Sequence, residues 1–346
     1  MKLREASWNE FVSSIKQQNQ KVVVYGAGVI GKITLPMYIE DQQLEASILF
    51  IADADPHKSG GFIRIGNRDI AICPPEKMKS IQDKFVILVT GSRYEAILRY
   101  LEQVEELSKT DVYIFPQMLV KECRIFKKIE IAKKFSQPLI PKVIHYCWFG
   151  RSEMPDRLKK CQESWVRYCP DYQIVEWNED NYDVEKHTYA RQAYHCKKLS
   201  YVSDVARLEI LYENGGIYLD TDVELIRSLD ELLYQPGFIG VEKWGVVNSG
   251  GGCGVRPRHP MIGKMLECRL DVPFKREDGS LNLETSGSFE SKPLLEYGFR
   301  PDNTLQTVGD LTVYPSDFFH PFDYMSKELC VTENTYGIHH FMGSWV

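Results

Sequence analysis

Several things that would define a protein class are missing from this 346-residue chain. No run approaches the roughly 20 consecutive apolar residues of a membrane-spanning helix. Residues 1–20, MKLREASWNEFVSSIKQQNQ, lack the uninterrupted apolar core of a secretory signal, so the cytoplasm is the expected location. Basic charge is not in excess: 42 Lys and Arg against 48 Asp and Glu leave a net charge of −6. That balance gives no overall positive field for a phosphate backbone, and nucleic acid is not an expected partner. The nine cysteines are odd in number and show no C-x-x-C spacing, which fits reduced thiols better than a disulfide framework.

What the chain does have is enough apolar material for two domains, 43% hydrophobic and 12% aromatic. The patterns divide it into residues 1–120, a basic linker at 121–137 and a larger part at 138–346. Oligomeric state is not readable.

The first part alternates strand and helix as a parallel sheet requires. Residues 21–25 form a β-branched strand, and Gly26-Ala27-Gly28-Val29-Ile30-Gly31 is a G-x-G-x-x-G turn leading into a helix. A second strand at 47–52 ends on Asp53, about where a dinucleotide fold places its ribose-binding acid. Strands at 85–90 and 111–115 flank a helix at 92–104. The expectation is a Rossmann-like parallel-sheet domain, with Gly26, Gly28, Gly31 and Asp53 as candidate contacts for NAD or another nucleotide. The glycines are equally well explained by a tight turn and close helix packing. Residues 50–78, with D-x-D-P-x-K-x-G and a later Pro-Glu pair, resemble N-terminal Rossmann-like domains attached to bacterial polysaccharide-biosynthesis and sugar-modifying enzymes. In that group the segment accompanies nucleotide or nucleotide-sugar binding in some members and a scaffold role in others. Both remain open.

The linker, KECRIFKKIEIAKK at 121–134, interleaves basic residues with Ile125, Phe126, Ile129 and Ile131. It is expected as a helix that packs its apolar side on protein, with peripheral contact at the inner face of a membrane as the alternative.

The chemistry concentrates in residues 199–225, LSYVSDVARLEILYENGGIYLDTDVEL. Ser200 or Ser203 is expected to begin a helix that Asn214-Gly215-Gly216 ends. Residues 217–219 then form a short buried strand, and Asp220 and Asp222 straddle Thr221 where it runs out. Asp204 and Arg207, three apart, share a helix face. Two carboxylates so placed suit a divalent cation held against a diphosphate. A lone D-x-D, however, is frequent by chance.

The whole string, S-D-x-x-R followed by L-Y-x-x-G-G-I-Y-L-D-T-D-V, closely resembles the sugar-binding region of the D-x-D glycosyltransferases. That family includes yeast initiating mannosyltransferases and bacterial capsular polysaccharide transferases, with the clostridial glucosylating toxins as more distant relatives. Ile140-Pro141-Lys142-Val143-Ile144-His145 through Trp148 and Gly150 is similar to the family's opening strand. Ser164-Trp165, the stretch from Pro170 to Trp177, and the closing His339-His340-Phe341-Met342-Gly343-Ser344-Trp345 are similar to later motifs.

The resemblance implies a GT-A-type nucleotide-sugar transferase domain. It also implies a retaining glycosyltransferase that moves a hexose from a nucleotide sugar to a glycan or lipid-linked acceptor, as in bacterial capsular or lipopolysaccharide synthesis. Asp222 would ligate Mn²⁺ or Mg²⁺, and Asp220 would contact the ribose and a water on the metal. His340 is the expected histidine ligand, with His339 the less certain of the two and Ser344 nearby; an imidazole tilts the preference toward manganese. Asp204 and Arg207 would hold sugar hydroxyls, Asn248 and Ser249 would line the donor in the loop VVNSGGGCGVRPRHP, and Trp345 would donate to the β-phosphate. Trp148 would stack on the base, which favours a UDP-sugar.

One departure is visible: Thr285-Ser286-Gly287 lacks the proline of the family's T-G-P segment, leaving Glu290 as an acceptor-side candidate. Two rivals stand beside this reading. A dehydrogenase-like, NAD-dependent nucleotide-sugar-modifying enzyme would use Tyr182 with Lys186 or Tyr194 with Lys198. A non-catalytic nucleotide-sugar-binding scaffold needs no chemistry at all.

Overall fold

The structure is a computed structural model that describes residues 1–122, 127–131 and 133–343. The chain divides into two compact units, Met1–Ile125 and Phe126–Val346.

The first unit is built on strands β1 (Lys2–Leu3), β2 (Lys21–Tyr25), β3 (Ile48–Ala52), β4 (Phe62–Ile65), β5 (Arg68–Cys73), β6 (Phe85–Val89) and β7 (Asp111–Ile114). Its helices are α1 (Trp8–Gln18), α2 (Leu35–Asp41), α3 (Tyr94–Gln103) and α4 (Phe115–Glu122). The sheet order is β1-β7-β6-β2-β3-β5-β4, parallel throughout except for the edge pair β4–β5. The central β2, with Val22, Val23 and Val24 all buried, is the near-continuous apolar run of a strand covered on both faces. The chain leaves β2 toward β3 and β5, then crosses back to β6 and β7. This is a Rossmann-like order, and the glycine turn stands at its reversal point.

The second unit contains β8 (Val143–Cys147), α5 (Asp156–Tyr168), β9 (Gln173–Trp177), α6 (Thr188–His195), α7 (Leu199–Asn214), β10 (Gly216–Tyr218) and β11 (Val223–Leu225). There follow β12 (Gly237–Val241), β13 (Val247–Val255), α8 (Pro260–Leu270), α9 (Ser286–Leu295), β14 (Gln306–Val308), β15 (Leu311–Tyr314) and β16 (Gly337–His339). A mixed sheet runs β14-β15-β12-β13-β10-β8-β9, and β11 pairs with β16 in a small separate ribbon. This mixed α/β architecture agrees with the GT-A-type expectation. One apolar cluster includes α7, α8 and the face formed by Tyr218, Ile239 and Cys253; another joins Trp165, Ile217, Phe238 and Tyr336.

Two expectations are corrected. The glycine-rich stretch expected as a loop is β13, a strand of 9 residues, all buried, paired antiparallel to both β10 and β12. Glycine here answers close approach: a Cβ on Gly252 would lie 2.5 Å from the Phe319 ring, and one on Gly254 2.5 Å from Phe238. The expected linker helix is also absent among the described residues, since α4 ends at Glu122 and residues 127–131 and 133–137 make no helical turn. Ile129 and Ile131 are two apart, the spacing of an extended chain, and both pack on the second unit's cluster. The Ile129 N–H donates to Asn334 Oδ1 at 2.8 Å, so this strap is part of that unit, with Ile129 and Ile131 half-buried against it. No helix among the described residues is long and apolar enough to cross a membrane, and every described cysteine is a free thiol.

Candidate active site

Helix α7 begins one residue before Ser200, after Lys198, and stops at Gly215, whose φ of 66° ends the helix as it donates to Leu211 O. Because neither serine caps the helix, Ser200 and Ser203 are left to line a cleft. The same cleft is lined by Trp148, Ser152, Asp220, Asp222 and His339.

Motif residues far apart in sequence hold this floor in place. His145 in β8 is buried, and burial lowers its pKa to about 4, so it is neutral near pH 7. Its Nδ1 accepts from Trp177 Nε1 at 3.1 Å while Nε2 reaches Gly215 O at 3.1 Å, pinning the turn that precedes the carboxylates. Trp165 Nε1 donates to Val223 O at 2.7 Å, and Ser164 Oγ accepts from the Leu225 N–H at 2.8 Å, fixing β11 just beyond them.

The carboxylates diverge in environment. Asp220 Oδ1 accepts from Tyr218 Oη at 3.2 Å, and its Oδ2 lies 3.5 Å from Arg207 Nη1. Burial alone would raise the Asp222 carboxyl, but His339 and the Met342 N–H outweigh it and bring the pKa to about 2. His339 Nε2 is 3.3 Å from Asp222 Oδ1, and the Met342 N–H donates to Oδ2 at 2.8 Å. Burial works against a charged His339, yet Asp222 draws its pKa above the usual value.

Ligand atoms of Asp220, Asp222 and His339 all lie within 4.8 Å of one another. Two carboxylates and one imidazole fit a divalent cation. His340, the expected ligand, is not in this group. Its Nε2 is 3.0 Å from Glu224 Oε2, because consecutive side chains at the end of β16 turn to opposite sides.

Other expected contacts stand behind the cleft and do not line it. Asp204 is 1% exposed, with Arg207 on one oxygen and Arg269, from α8, on the other. Arg207 itself reaches the cleft; burial opposes its charge, but Asp220 and Asp204 raise its pKa well above the usual value. Removing one partner from such a buried set typically costs about 3–5 kcal/mol. Asn248 donates to Glu242 Oε1 and accepts from the Gly250 and Gly251 N–H groups, so it shapes β13. Ser249 gives its hydroxyl and N–H to Glu290, at 2.7 and 2.8 Å. Glu290, 1% exposed and pushed up in pKa by burial, is thereby removed from the acceptor side. The expected Ser344 and Trp345 contacts lie outside the described residues.

Tyr182, Lys186 and Tyr194 of the redox rival are engaged elsewhere. Tyr182 Oη donates to Glu209 Oε2 at 2.8 Å and Lys186 pairs with the other oxygen, while Tyr194 Oη donates to Glu179 at 3.0 Å.

In the first unit, Gly26 has φ 122°, and a Cβ on Gly31 would strike Gly26 O, whereas Gly28 has open space around it. Asp53 Oδ2 accepts from the Ala27 N–H at 2.6 Å and lies 3.2 Å from Lys58 Nζ. The acid expected on a ribose is thus engaged by the turn's own backbone.

Comparison with known proteins follows the same division. Residues 155–239 match the family described as a glycosyltransferase sugar-binding region containing a DXD motif. This segment is similar to that family. Asp220-Thr221-Asp222 is the motif of its description. Residues 2–116 match a family described as a C-methyltransferase C-terminal domain. Inositol phosphoceramide mannosyltransferase 3 of Schizosaccharomyces pombe is 35% identical over 108 residues, 29% of each chain. A mannosyl phosphorylinositol ceramide synthase of Saccharomyces cerevisiae is 31% identical over 138 residues, 37% of this chain and 35% of its own. An uncharacterised glycosyltransferase of Acanthamoeba polyphaga mimivirus is 25% identical over 226 residues, covering 60% of this chain and 84% of its own. The chain spans only 29% to 40% of the length of the fungal relatives. Among solved structures, the PaToxG glycosyltransferase overlaps 53% of this chain and 76% of its own at 20% identity and a TM-score of 0.38.

Proposed function

We propose that the chain is a metal-dependent, retaining glycosyltransferase that moves a hexose from a nucleotide sugar to a glycan or lipid-linked acceptor. The observation that carries this reading is the convergence of Asp220, Asp222 and His339 in a cleft that Trp148 also lines. The match of residues 155–239 to a DXD-containing sugar-binding region supports it. The printed names of the fungal relatives make mannose and a lipid-linked acceptor natural first choices, while the stacking role that resemblance assigns to Trp148 favours a uridine base. Surface polysaccharide synthesis is the setting we propose for the reaction.

Asp222, Asp220 and His339 would hold the cation, which supplies neutralisation of the charge that grows on the departing diphosphate. Trp148 has its indole N–H committed to Ser152 O at 2.7 Å, which fixes the ring at the cleft wall to receive a base. Arg207 faces the sugar and diphosphate from the floor, with Asp204 acting through it. On the motif resemblance, Trp345 would donate to the β-phosphate and Ser344 would serve near the cation.

Among the described residues lining the cleft, the carboxylates are Asp220 and Asp222, both of which would be spent on the cation, while Glu290 and Asp204 are buried in other pairings. The acceptor oxygen therefore bonds to the anomeric carbon on the face from which the phosphate oxygen departs. The acceptor's proton passes to that phosphate, and an α-linked donor yields an α-linked product.

The test is product analysis after incubation with UDP-glucose, UDP-galactose, their N-acetyl forms and GDP-mannose, with Mn²⁺ or with chelator. Release of a nucleoside diphosphate from one donor only with metal supports the reading. Release that is indifferent to chelator, or none from any donor, contradicts it.

A further inference from the structure

The Asp204–Arg207 pair has a geometric problem that a third residue solves. The two residues are three apart on α7, and a guanidinium facing a carboxylate at that spacing is drawn to bind both oxygens, the favoured two-pronged arrangement. Were that to happen here, Arg207 would spend two nitrogens on Asp204 and leave the cleft. In the structure Asp204 Oδ2 is already taken by Arg269, 65 positions further along. Arg207 therefore places only Nη2 on Asp204, directs Nη1 toward Asp220 Oδ2 at 3.5 Å, and anchors Nε on Ser203 O at 3.3 Å.

Arg269 is built to stay where it is. Its side chain is 1% exposed, and its guanidinium carbon lies 4.3 Å from the centre of the Phe289 ring and 4.5 Å from that of Tyr189. Its Nη1 also reaches Glu284 O at 3.4 Å. The charge sequence is Arg269 positive, Asp204 negative, Arg207 positive, Asp220 negative. It alternates from the α8 side of the core to the carboxylate motif.

We propose that Arg269 is a positioning residue for the transfer reaction: by occupying the second oxygen of Asp204 it keeps Arg207 extended onto Asp220 and into the cleft. The inference rests on the transferase reading above. It assigns Arg269 a role that is exerted through Arg207, with no contact of its own to the donor. Loss of Arg269 should slow the chemical step, for which Arg207 must be aimed, more than it weakens binding of the metal and nucleotide, which Asp222, His339 and Trp148 hold.

The experiment compares Arg269→Met and Arg269→Lys with wild type in the full chain, well below each variant's melting temperature. Turnover is read as nucleoside diphosphate released, with Mn²⁺, from whichever of UDP-glucose, UDP-galactose and GDP-mannose the wild type cleaves. For Arg269→Met we expect kcat to fall at least about thirtyfold while KM and the calorimetric affinity for Mn²⁺ plus the matching nucleoside diphosphate stay within about threefold. Arg269→Lys, which still places a cation on Oδ2, should return kcat to within about fivefold of wild type. A lowered melting temperature with kcat unchanged, or a lysine variant that recovers nothing, overturns the role. If Arg269→Met does not fold, Arg269→Gln carries the same test: kcat reduced at least about tenfold at unchanged KM supports the inference, and unchanged kcat overturns it. A wild type that cleaves no donor overturns the transferase reading itself, whereas an active wild type with a fully active Arg269→Met overturns only the part assigned to Arg269.

Discussion

His339 Nε2 lies 3.3 Å from Asp222 Oδ1, and the other Asp222 oxygen is filled by the Met342 N–H. The segment that follows β16 is thereby tied to the carboxylate motif by the same group that would hold the cation. The neighbouring His340 turns to Glu224.

This arrangement separates the two histidines by experiment. His339→Ala should weaken Mn²⁺ binding in the presence of UDP by at least about tenfold, and His340→Ala should change it by no more than about twofold. Manganese titration followed by electron paramagnetic resonance measures both. Equal effects would mean that the ligand set is not the one described.

A second outcome concerns the glycines of β13. A Cβ on Gly250 would collide with Asp220 Oδ2 and Arg207 Nη1, so Gly250→Ala must push the motif carboxylate or the arginine aside. We expect donor turnover to fall on the order of a hundredfold. Overpacking should also destabilise the fold by about 1–3 kcal/mol. Gly28→Ala, which meets nothing within 4 Å, should change stability by less than about 0.5 kcal/mol. Melting curves and turnover of the two variants provide the comparison.

The third outcome is a pH dependence. Burial would raise the Glu209 carboxyl, but hydrogen bonds from Lys186, Tyr182 and His187 outweigh it and hold the pKa below its ordinary 4.5. On acidification the unfolded chain therefore takes up this proton first. Glu209 contributes its full stability above about pH 4.5 and loses it as the pH falls through the folded-state value. Glu209→Gln should be less stable than wild type at pH 7 by on the order of 1–2 kcal/mol, since the Lys186 partner is half-exposed. The gap should narrow as the pH falls below about 4.5. Urea unfolding at pH 7, 5 and 3 measures it; a constant gap would show that the carboxylate's charge is not what these partners hold.

The parts of the fold that were legible in sequence are those carried by local signals. The strand–glycine-turn of β2 and the run from α7 through β10 to the two aspartates follow from periodicity and neighbouring residues, while the strand carrying His145 follows from the resemblance of its motif to a family's opening strand. What was not legible depends on residues far apart. Strand β13 reads as a loop because its glycines lack side chains, and their reason lies in Phe319, Phe238 and Asp220, which come from other elements. The choice of His339 over His340 is set by the pairing of Val223 with His339 across β11 and β16. Asp204 reads as a sugar contact only while Arg269 is out of view. Ser249 and Glu290, 41 positions apart, show nothing in sequence of the bond that withdraws both from the donor and acceptor.

The central claim is that the Asp220, Asp222 and His339 group binds a cation that in turn holds a nucleoside diphosphate. Calorimetric titration of UDP and GDP, with and without Mn²⁺, into wild type and Asp222→Asn tests it most directly. The expected result is binding of one nucleotide that requires Mn²⁺ and is lost in Asp222→Asn while the melting temperature is retained. Binding of equal strength without metal, or undiminished in Asp222→Asn, would contradict it.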